Sequence, residues 1–127
     1  MAATRIAARG DVFWADLVPR SGSEQQGRRP AIIVSHDVFN RAEGWQSLIV
    51  VPVTTSRSQS LRGPTAVGLR AGEGGLREDS IALCHQVTSL DRSKLAGWLG
   101  SLSGETLSAV EQGLVIALDL AVPGSGA

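Results

Sequence analysis

The stretch LIVVPVT, at residues 48–54, decides the fold class of this chain. Five of its seven residues are β-branched, and β-branched side chains favour the extended backbone of a strand. Because Pro52 has no backbone N–H to donate to a neighbouring strand, we expect its end of the strand to lie at an edge or a bulge. The stretch therefore predicts a protein built on a β-sheet.

Further strand-like segments lie on both sides of this one. The segment RGDVFWADL, at residues 9–17, alternates between two faces, of which the face with Trp14 and Asp16 is the wetter. Residues 79–90, DSIALCHQVTSL, also alternate and predict one long strand, after which Asp91 is suited to cap a short turn. In all, we expect six strands, at residues 9–17, 31–35, 48–54, 64–69, 79–90 and 97–102.

The C-terminal segment has a different period. Apolar residues recur there at helical spacing, at Leu107, Val110, Leu114, Ala117 or Leu118, and Ala121. Ser103 is suited to the N-cap, and Glu105 falls in the first turn, where a carboxylate is favoured. Pro123 and Gly124 are expected to end the helix. The pattern predicts a mainly β (α+β) fold, a strongly bent antiparallel sheet or open barrel with one C-terminal helix.

The composition indicates one domain without covalent or metal cross-links. A chain of 127 residues can remove roughly two thirds of its unfolded surface from water, which is enough for a core. Cys84 is the only cysteine, which excludes a disulfide within the chain, and with only His36 and His85 a four-ligand zinc site is implausible. We expect a flexible lead at residues 1–8, one domain at 9–122 and a flexible tail at 123–127.

Hydropathy and charge bear on location and partners. No segment approaches the ~18 apolar residues of a membrane span, and no signal-peptide core is present, so we expect a cytoplasmic protein. Residues 1–70 hold nine arginines and five acidic residues, a charge of +4, whereas residues 71–127 hold two arginines, one lysine and seven acidic residues, a charge of −4. This split suits a polyanionic partner, although a coding bias explains the many arginines equally well.

The polar segment between the first two predicted strands is the first place to look for a site. It reads VPRSGSEQQGRR, at residues 18–29, and is dense in glycine, serine and glutamine. Loops of about twelve residues without structure of their own are usually functional in a compact domain.

The residues around this loop closely resemble the MazF, PemK and Kid toxins, the toxin halves of bacterial toxin–antitoxin pairs. The shared blocks are RGDV at residues 9–12, GSEQQGRRP at 22–30, IVS at 33–35, VPVT at 51–54, DSI at 79–81, QVTSLDRSKL at 86–95 and LS at 102–103. The resemblance implies an SH3-like barrel that forms a homodimer and cuts single-stranded RNA without a metal or cofactor. It also implies a MazE-like antitoxin as partner, whose disordered tail orders across the groove.

The resemblance assigns catalytic roles to Arg29 and Thr54. RNA can be cut without a metal because its own 2′-hydroxyl can attack the adjacent phosphorus. The protein then supplies alignment, charge stabilisation and proton transfer. The Arg29 guanidinium can hold two oxygens of the developing phosphorane at once, and the Thr54 hydroxyl can donate to a phosphate oxygen.

Two further residues are candidates for proton transfer. Glu24 either accepts the 2′-hydroxyl proton or simply pairs with Arg28. His85 stands where many relatives carry a carboxylate, so it is either a general acid or base or a half-buried strand histidine. The catalytic His and Arg of Kid-like members are replaced here by Ser23 and Leu83, which brings the chain closer to the MazF pattern.

Single-stranded RNA needs cations along its backbone and flat groups against its bases. We expect the RNA to contact Arg20, Gln25, Arg28, Arg57, Arg62 and Gln86. Trp45 either stacks on a base or packs under its own loop.

Two competing functions remain: a gyrase poison like CcdB, which shares the barrel, and an RNA-binding barrel without activity. The GSEQQGRRP loop together with Thr54 favours the ribonuclease.

Overall fold

The computed structural model describes residues 5–17 and 27–121. For residues 60–62 it describes the backbone only. This part of the chain forms seven strands and two α-helices. They are β1 Asp11–Leu17, β2 Gly27–Ile33, α1 Asp37–Asn40, β3 Ser47–Thr54, β4 Ala66–Leu69, β5 Ser80–Leu83, β6 Thr88–Asp91, β7 Leu95–Ser101 and α2 Gly104–Leu118. Short 3₁₀ segments lie at Arg57–Thr65, Glu73–Gly75, Cys84–Gln86 and Arg92–Lys94.

The sheet is antiparallel throughout and is organised around β3. The strand order is β4-β5-β3-β2-β1-β7, and β6 also pairs with β3. Residues 47–50 of β3 pair with β6, and residues 53–54 pair with β5. No ladder joins β4 to β7 among the described residues, so the sheet is barrel-like but not closed. The predicted fold class, a mainly β barrel-like domain with a C-terminal helix, is confirmed.

The change of partner along β3 explains where the sequence-based assignment fails. The single strand predicted at residues 79–90 is wrong, because the chain leaves β5 at Leu83 and joins the other half of β3 as β6. The connection is a 3₁₀ turn, Cys84–Gln86. Pro52 pairs with Ala31 of β2 and, on its other side, lies in the gap between the β6 and β5 ladders, so it stands at a break between two ladders and not at an outer edge of the sheet.

The loop predicted at residues 18–29 ends earlier than expected. β2 begins at Gly27, so Arg28 and Arg29 are strand residues that face Asp16 and Ala15 of β1. Pairing with β1 extends the strand beyond the apolar run that the sequence pattern detects. The strands predicted at residues 9–17, 48–54, 64–69 and 97–102 are found with ends within two residues of the predicted ones.

The C-terminal helix begins as predicted and ends sooner. The Ser103 hydroxyl accepts a hydrogen bond from the Thr106 N–H, and Glu105 lies in the first turn. α2 ends at Leu118, because Asp119 adopts a left-handed backbone with φ 54° and closes the last turn. Ala121 therefore lies beyond the helix, and Pro123 and Gly124 are outside the described residues. Among the described helices, none has the length and apolar character needed to cross a membrane.

Apolar residues are buried on both faces of the sheet. One cluster includes Val12, Ile32 and Val51 and packs against α2, whereas the next residues along the same strands belong to a second cluster. That second cluster contains Ala7, Phe13, Ala15, Leu17, Ala31, Ile33, Leu48 and Val50. Successive side chains of a strand point to opposite faces. The continuous apolar runs in β2 and β3 therefore contribute side chains to both clusters. Each fully buried aliphatic side chain contributes about 1.5–3 kcal/mol.

Glycine lets α2 lie close to the sheet. A Cβ at Gly113 would stand 2.7 Å from the Cys84 sulfur and 2.8 Å from a methyl carbon of Val67. The Cys84 thiol is fully buried beneath the helix and donates to the Val110 carbonyl, 3.5 Å away. Burial raises the pKa of the Cys84 thiol to about 11. Cys84 is therefore a packing residue of the helix–sheet interface.

Part of the predicted N-terminal lead packs against the domain. Ala7 is buried, and the Arg5 guanidinium lies 4.2 Å from the centre of the Trp98 ring. The Arg5 Nε is also 3.3 Å from a carboxylate oxygen of Asp11, which is buried and accepts from the Ser101 hydroxyl at 2.6 Å. Residues 5–8 are thus tied to the start of β1 and to β7.

A carboxylate from the segment before β5 supports the start of α2. Glu73 accepts hydrogen bonds from the Ser103 N–H at 3.0 Å and from the Ser103 hydroxyl at 3.1 Å. The bond from the Ser103 N–H is the main reason that the pKa of Glu73 lies below its ordinary value. A negative charge at this end of a helix also interacts favourably with the helix dipole.

This contact predicts a pH-dependent stability. Because the pKa of Glu73 is lowered in the folded state, its contribution is complete above the unfolded-state pKa of about 4.3 and is lost as the pH falls through the folded value. We expect Glu73→Gln to lower the free energy of unfolding at pH 7 and to flatten its decline below about pH 5. Urea unfolding from pH 3 to 7 measures this. The matched control is Glu43→Gln, an exposed carboxylate of the turn after α1, and equal pH profiles for the two variants would contradict the assignment.

Candidate active site

One cleft of about 530 Å³ opens where the ends of β1, β2 and β3 meet the segment before β5. Strands β1 to β3 and the residue after β3 supply about half of its lining, and the segment before β5, the first residue of β5 and one residue of β7 supply the rest. Its lining residues are Trp14, Arg28, Arg29, Pro30, Val53, Thr54, Thr55, Gly75, Leu76, Arg77, Glu78, Ser80 and Leu99. The two residues to which we assigned central catalytic roles, Arg29 and Thr54, are both among them.

The strand register explains why Arg29 and Thr54 meet. The last pair between β2 and β3 is Ala31 with Pro52. Extending the same antiparallel register by two residues would bring Arg29 to the level of Thr54, although the ladder itself does not continue that far. The segments diverge here, since β2 continues along β1 whereas the end of β3 pairs with β5. The cleft lies at this divergence, and both the exposed Arg29 and the buried Thr54 line it.

The Thr54 hydroxyl is held in a fixed orientation. Thr54 is buried, with 5% of its surface exposed, and its Oγ1 accepts a hydrogen bond from the Ser56 N–H at 3.1 Å. A hydroxyl has one hydrogen to donate in addition to its acceptor lone pairs. With the acceptor side engaged by the backbone, the hydrogen is left for an acceptor in the cleft.

Arg28 has an acidic partner across the sheet. Its Nε lies 3.0 Å from one carboxylate oxygen of Asp16, and a terminal nitrogen lies 3.5 Å from the other. The hydrogen bond from Arg28 lowers the pKa of Asp16, and the same bond raises the pKa of Arg28. Both side chains are exposed, so solvent screens the pair. Asp16 therefore offsets part of the positive charge that Arg28 brings to the cleft.

The segment before β5 adds charged groups that sequence reasoning missed. Arg77 and Glu78 line the cleft, and the Ser80 hydroxyl donates to the Glu78 carbonyl at 2.8 Å. They directly precede the DSI block at residues 79–81, which is the only sequence signal that could have drawn attention to them. Among the described lining residues, three arginines therefore face one carboxylate.

The floor of the cleft depends on close backbone contact. Gly75 has φ +75°, and a Cβ there would lie 2.0 Å from the Leu99 carbonyl oxygen. The β1/β7 ladder changes register between Val12 and Phe13, so that Leu99 is left without a partner in β1. Bulges of this kind locally redirect a strand and are frequent next to active sites.

Other predicted site residues lie away from the cleft. His85 is neither in a strand nor half-buried, as we had considered, but exposed in the 3₁₀ turn, where its Nε2 is 3.4 Å from the Gln86 side-chain nitrogen. Trp45 packs against Phe39, with ring centres 5.0 Å apart. His85, Gln86, Trp45 and Arg57 do not line the cleft. Their predicted roles in catalysis or RNA binding stay predictions.

The remaining candidates cannot be placed. Arg20, Ser23, Glu24 and Gln25 fall at residues 18–26, outside the described part of the chain. The Arg62 side chain is outside the description as well.

The barrel-like sheet brings guanidinium groups and a hydroxyl donor into one cleft. This arrangement is typical of small proteins that bind an anionic ligand such as a phosphodiester. Comparison with known proteins makes the assignment specific. A family model described as PemK-like, MazF-like toxin of type II toxin-antitoxin system matches residues 8–118. The chain belongs to this family.

Individual relatives agree with the family. The chain is 35% identical over 115 residues to the endoribonuclease EndoA of Bacillus subtilis strain 168, covering 91% of this chain and 97% of that protein. Among solved structures, MazF of Deinococcus radiodurans matches with a TM-score of 0.76 at 29% identity, over 92% of this chain and 100% of that one. A MazE–MazF crystal from the same organism matches with a TM-score of 0.71 at 28% identity, over 93% and 100% of the two chains.

Proposed function

We propose that this chain is the toxin of a toxin–antitoxin pair and that it acts as a metal-independent, sequence-selective endoribonuclease on single-stranded messenger RNA. The observation that carries the proposal is the meeting of Arg29 and Thr54 in one cleft. Membership of the PemK and MazF toxin family and the 35% identity to the endoribonuclease EndoA support it.

In the proposed reaction the RNA supplies its own nucleophile. The 2′-oxygen attacks the adjacent phosphorus and loses its proton, while the bond from phosphorus to the 5′-oxygen breaks and that oxygen gains a proton. The products are a 2′,3′-cyclic phosphate and a 5′-hydroxyl. Arg29 holds two oxygens of the developing phosphorane, and Thr54 donates its hydroxyl hydrogen to a phosphate oxygen.

The reaction also needs an acceptor for the 2′-hydroxyl proton and a donor to the leaving 5′-oxygen. We propose Glu24 as the acceptor of the 2′-hydroxyl proton. The alternative is that Glu24 pairs with Arg28, whose guanidinium also contacts Asp16. Arg29 acts first through its charge, because a guanidinium group is a poor proton donor at neutral pH. His85 remains a second candidate for acid or base.

We also propose the partners and the location. The crystal that holds MazE with MazF supports a MazE-like antitoxin as the partner of this chain, with a tail that orders across the cleft. We infer a homodimer and a cytoplasmic location from the same family likeness. Arg28, Arg29 and Arg77 would attract the RNA backbone, since single-strand binding combines a positively charged groove with aromatic surfaces.

The test is cleavage of single-stranded RNA by the purified chain in the presence of a metal chelator. We expect cuts at a short recurring sequence, with fragments that carry a cyclic phosphate and a 5′-hydroxyl. DNA gyrase inhibition is measured in parallel. Gyrase inhibition without RNA cleavage would replace the proposal by the CcdB-like alternative, and RNA binding without cleavage would point to an inactive RNA-binding barrel.

A further inference from the structure

The three tryptophans of the chain differ in what covers them. Trp98 lies under the Arg5 guanidinium, at 4.2 Å from the ring centre, and Trp45 packs against Phe39. Trp14 makes neither a ring contact nor a cation contact with any residue in the described part of the chain, although 39% of its surface is exposed. It is also the one tryptophan of the three that lines the cleft.

The sheet is irregular beside Trp14 in a way that keeps its ring accessible. The β1/β7 ladder shifts again between Phe13 and Ala15, so the strand opposite Trp14 bulges. Gly97 of β7 has no side chain to place over the ring, and a Cβ there would lie 3.9 Å from the indole Cδ1. On the other side, Trp14 is paired with Pro30 of β2.

Trp14 is close to the proposed catalytic arginine. Arg29 is paired with Ala15, the residue that follows Trp14 on β1. Arg29 is not a same-face neighbour of Trp14, whose diagonal neighbours across the pair with Pro30 are Arg28 and Ile32, but Arg29 and Trp14 line the same cleft. A phosphate held by Arg29 would therefore bring the base of an adjoining nucleotide to the indole.

We propose that Trp14 is the platform on which an unpaired base next to the scissile phosphate stacks. The inference rests on the proposed ribonuclease function and adds a positioning residue to it. Base–aromatic stacking contributes substantially to single-strand binding and tolerates any base, because every base has a π face. Trp14 thus positions the strand so that the phosphate meets Arg29, and sequence selectivity comes from other groups.

The first test is binding of an RNA that carries a 2′-deoxy nucleotide at the cut and stays intact. We expect Trp14→Leu to raise the dissociation constant by about 5- to 100-fold, and Trp14→Phe to retain most of the affinity. The matched control is Trp98→Leu, the same change at an exposed tryptophan that does not line the cleft. An unchanged dissociation constant for a folded Trp14→Leu protein would refute the platform.

The second test separates stacking from support of the fold. With the wild-type chain, an RNA lacking the base next to the cut is expected to bind as weakly as the intact RNA binds to Trp14→Leu. When Trp14→Leu is measured with the RNA that lacks the base, the two losses of binding free energy should not add, because both changes remove the same contact. Additive losses would overturn the proposal, since Trp14 would then act on the RNA only through the wall of the cleft.

A third measurement covers the case in which Trp14→Leu does not fold. In the variant Trp45→Phe, Trp98→Phe, Trp14 is the only tryptophan, and its emission should be quenched by the intact RNA and unchanged by the RNA that lacks the base. Equal quenching by both would refute the stacking. Failure of the wild-type chain to cut all-ribose RNA would refute the proposed function instead, and the binding results would still show whether Trp14 contacts a base.

Discussion

An RNA with one 2′-deoxy nucleotide on the 5′ side of the cut should bind to this protein and remain whole. The proposed reaction needs that one oxygen as its nucleophile, and no described cleft residue is assigned the role of an alternative. We therefore expect cleavage at that position to fall below detection, while the dissociation constant changes by less than about tenfold, since one neutral hydrogen bond is worth about 0.5–1.5 kcal/mol.

The measurement compares three RNAs of one sequence, which are all-ribose, deoxy at the scissile nucleotide, and deoxy at a neighbouring nucleotide. The neighbour-substituted RNA controls for general effects of the sugar on binding and should still be cut. Cleavage of the RNA that is deoxy at the scissile nucleotide would rule out attack by the 2′-oxygen, and with it the roles assigned to Arg29 and Thr54.

Replacing Arg29 by alanine should reduce kcat by about 10²- to 10³-fold, the range found when one donor to a developing oxyanion is removed. The effect falls on kcat because the guanidinium binds the phosphorane more tightly than the ground-state phosphate. Arg29→Lys should recover little, because an ammonium is a point charge and cannot hold two oxygens in a plane.

Thr54 provides the matching test in the same cleft. Thr54→Val removes the hydroxyl and should cost about 10- to 100-fold in kcat, as expected for one hydrogen bond to a charged group. Thr54→Ser keeps the hydroxyl and should retain most of the activity. The control for the arginine is Arg41→Ala, an exposed arginine after α1 that does not line the cleft. A folded Arg29→Ala protein with a kcat within threefold of the wild type would remove Arg29 from the mechanism.

The meeting of Arg29 and Thr54 could be predicted from the sequence because both residues lie in recognisable blocks. GSEQQGRRP and VPVT each flank an apolar strand, and two such strands that pair as neighbours bring their ends together. The helix was predictable for a local reason, since its cap, first turn and apolar stripe are all properties of residues near each other in the chain.

The break between β5 and β6 could not be predicted in this way. Residues 79–90 alternate as a strand should, but the partner of β5 is one end of β3 and the partner of β6 is the other. The chain must step from one ladder to the next at Cys84–Gln86, and this requirement comes from β3, about thirty residues earlier in the sequence. His85 consequently lies on a turn and not on a strand face.

The aromatic residue of the cleft was missed for a similar reason. Trp45 attracted attention because it lies in a polar segment, where an aromatic residue is unusual. Trp14 was hidden in a strand-like pattern in which an aromatic residue is ordinary. Its exposure follows from the bulge of β7 and from Gly97, and neither is visible from β1 itself.

The sealed position of Cys84 has a practical consequence for labelling. A thiol that ionises only near pH 11 and lies beneath α2 reacts slowly with maleimides at neutral pH, because the thiolate is the reactive form. A single cysteine added at an exposed site can therefore carry a fluorophore while the native thiol stays in place. With two such cysteines, one on each side of the cleft, distances across it can be followed in a protein whose own core has not been altered.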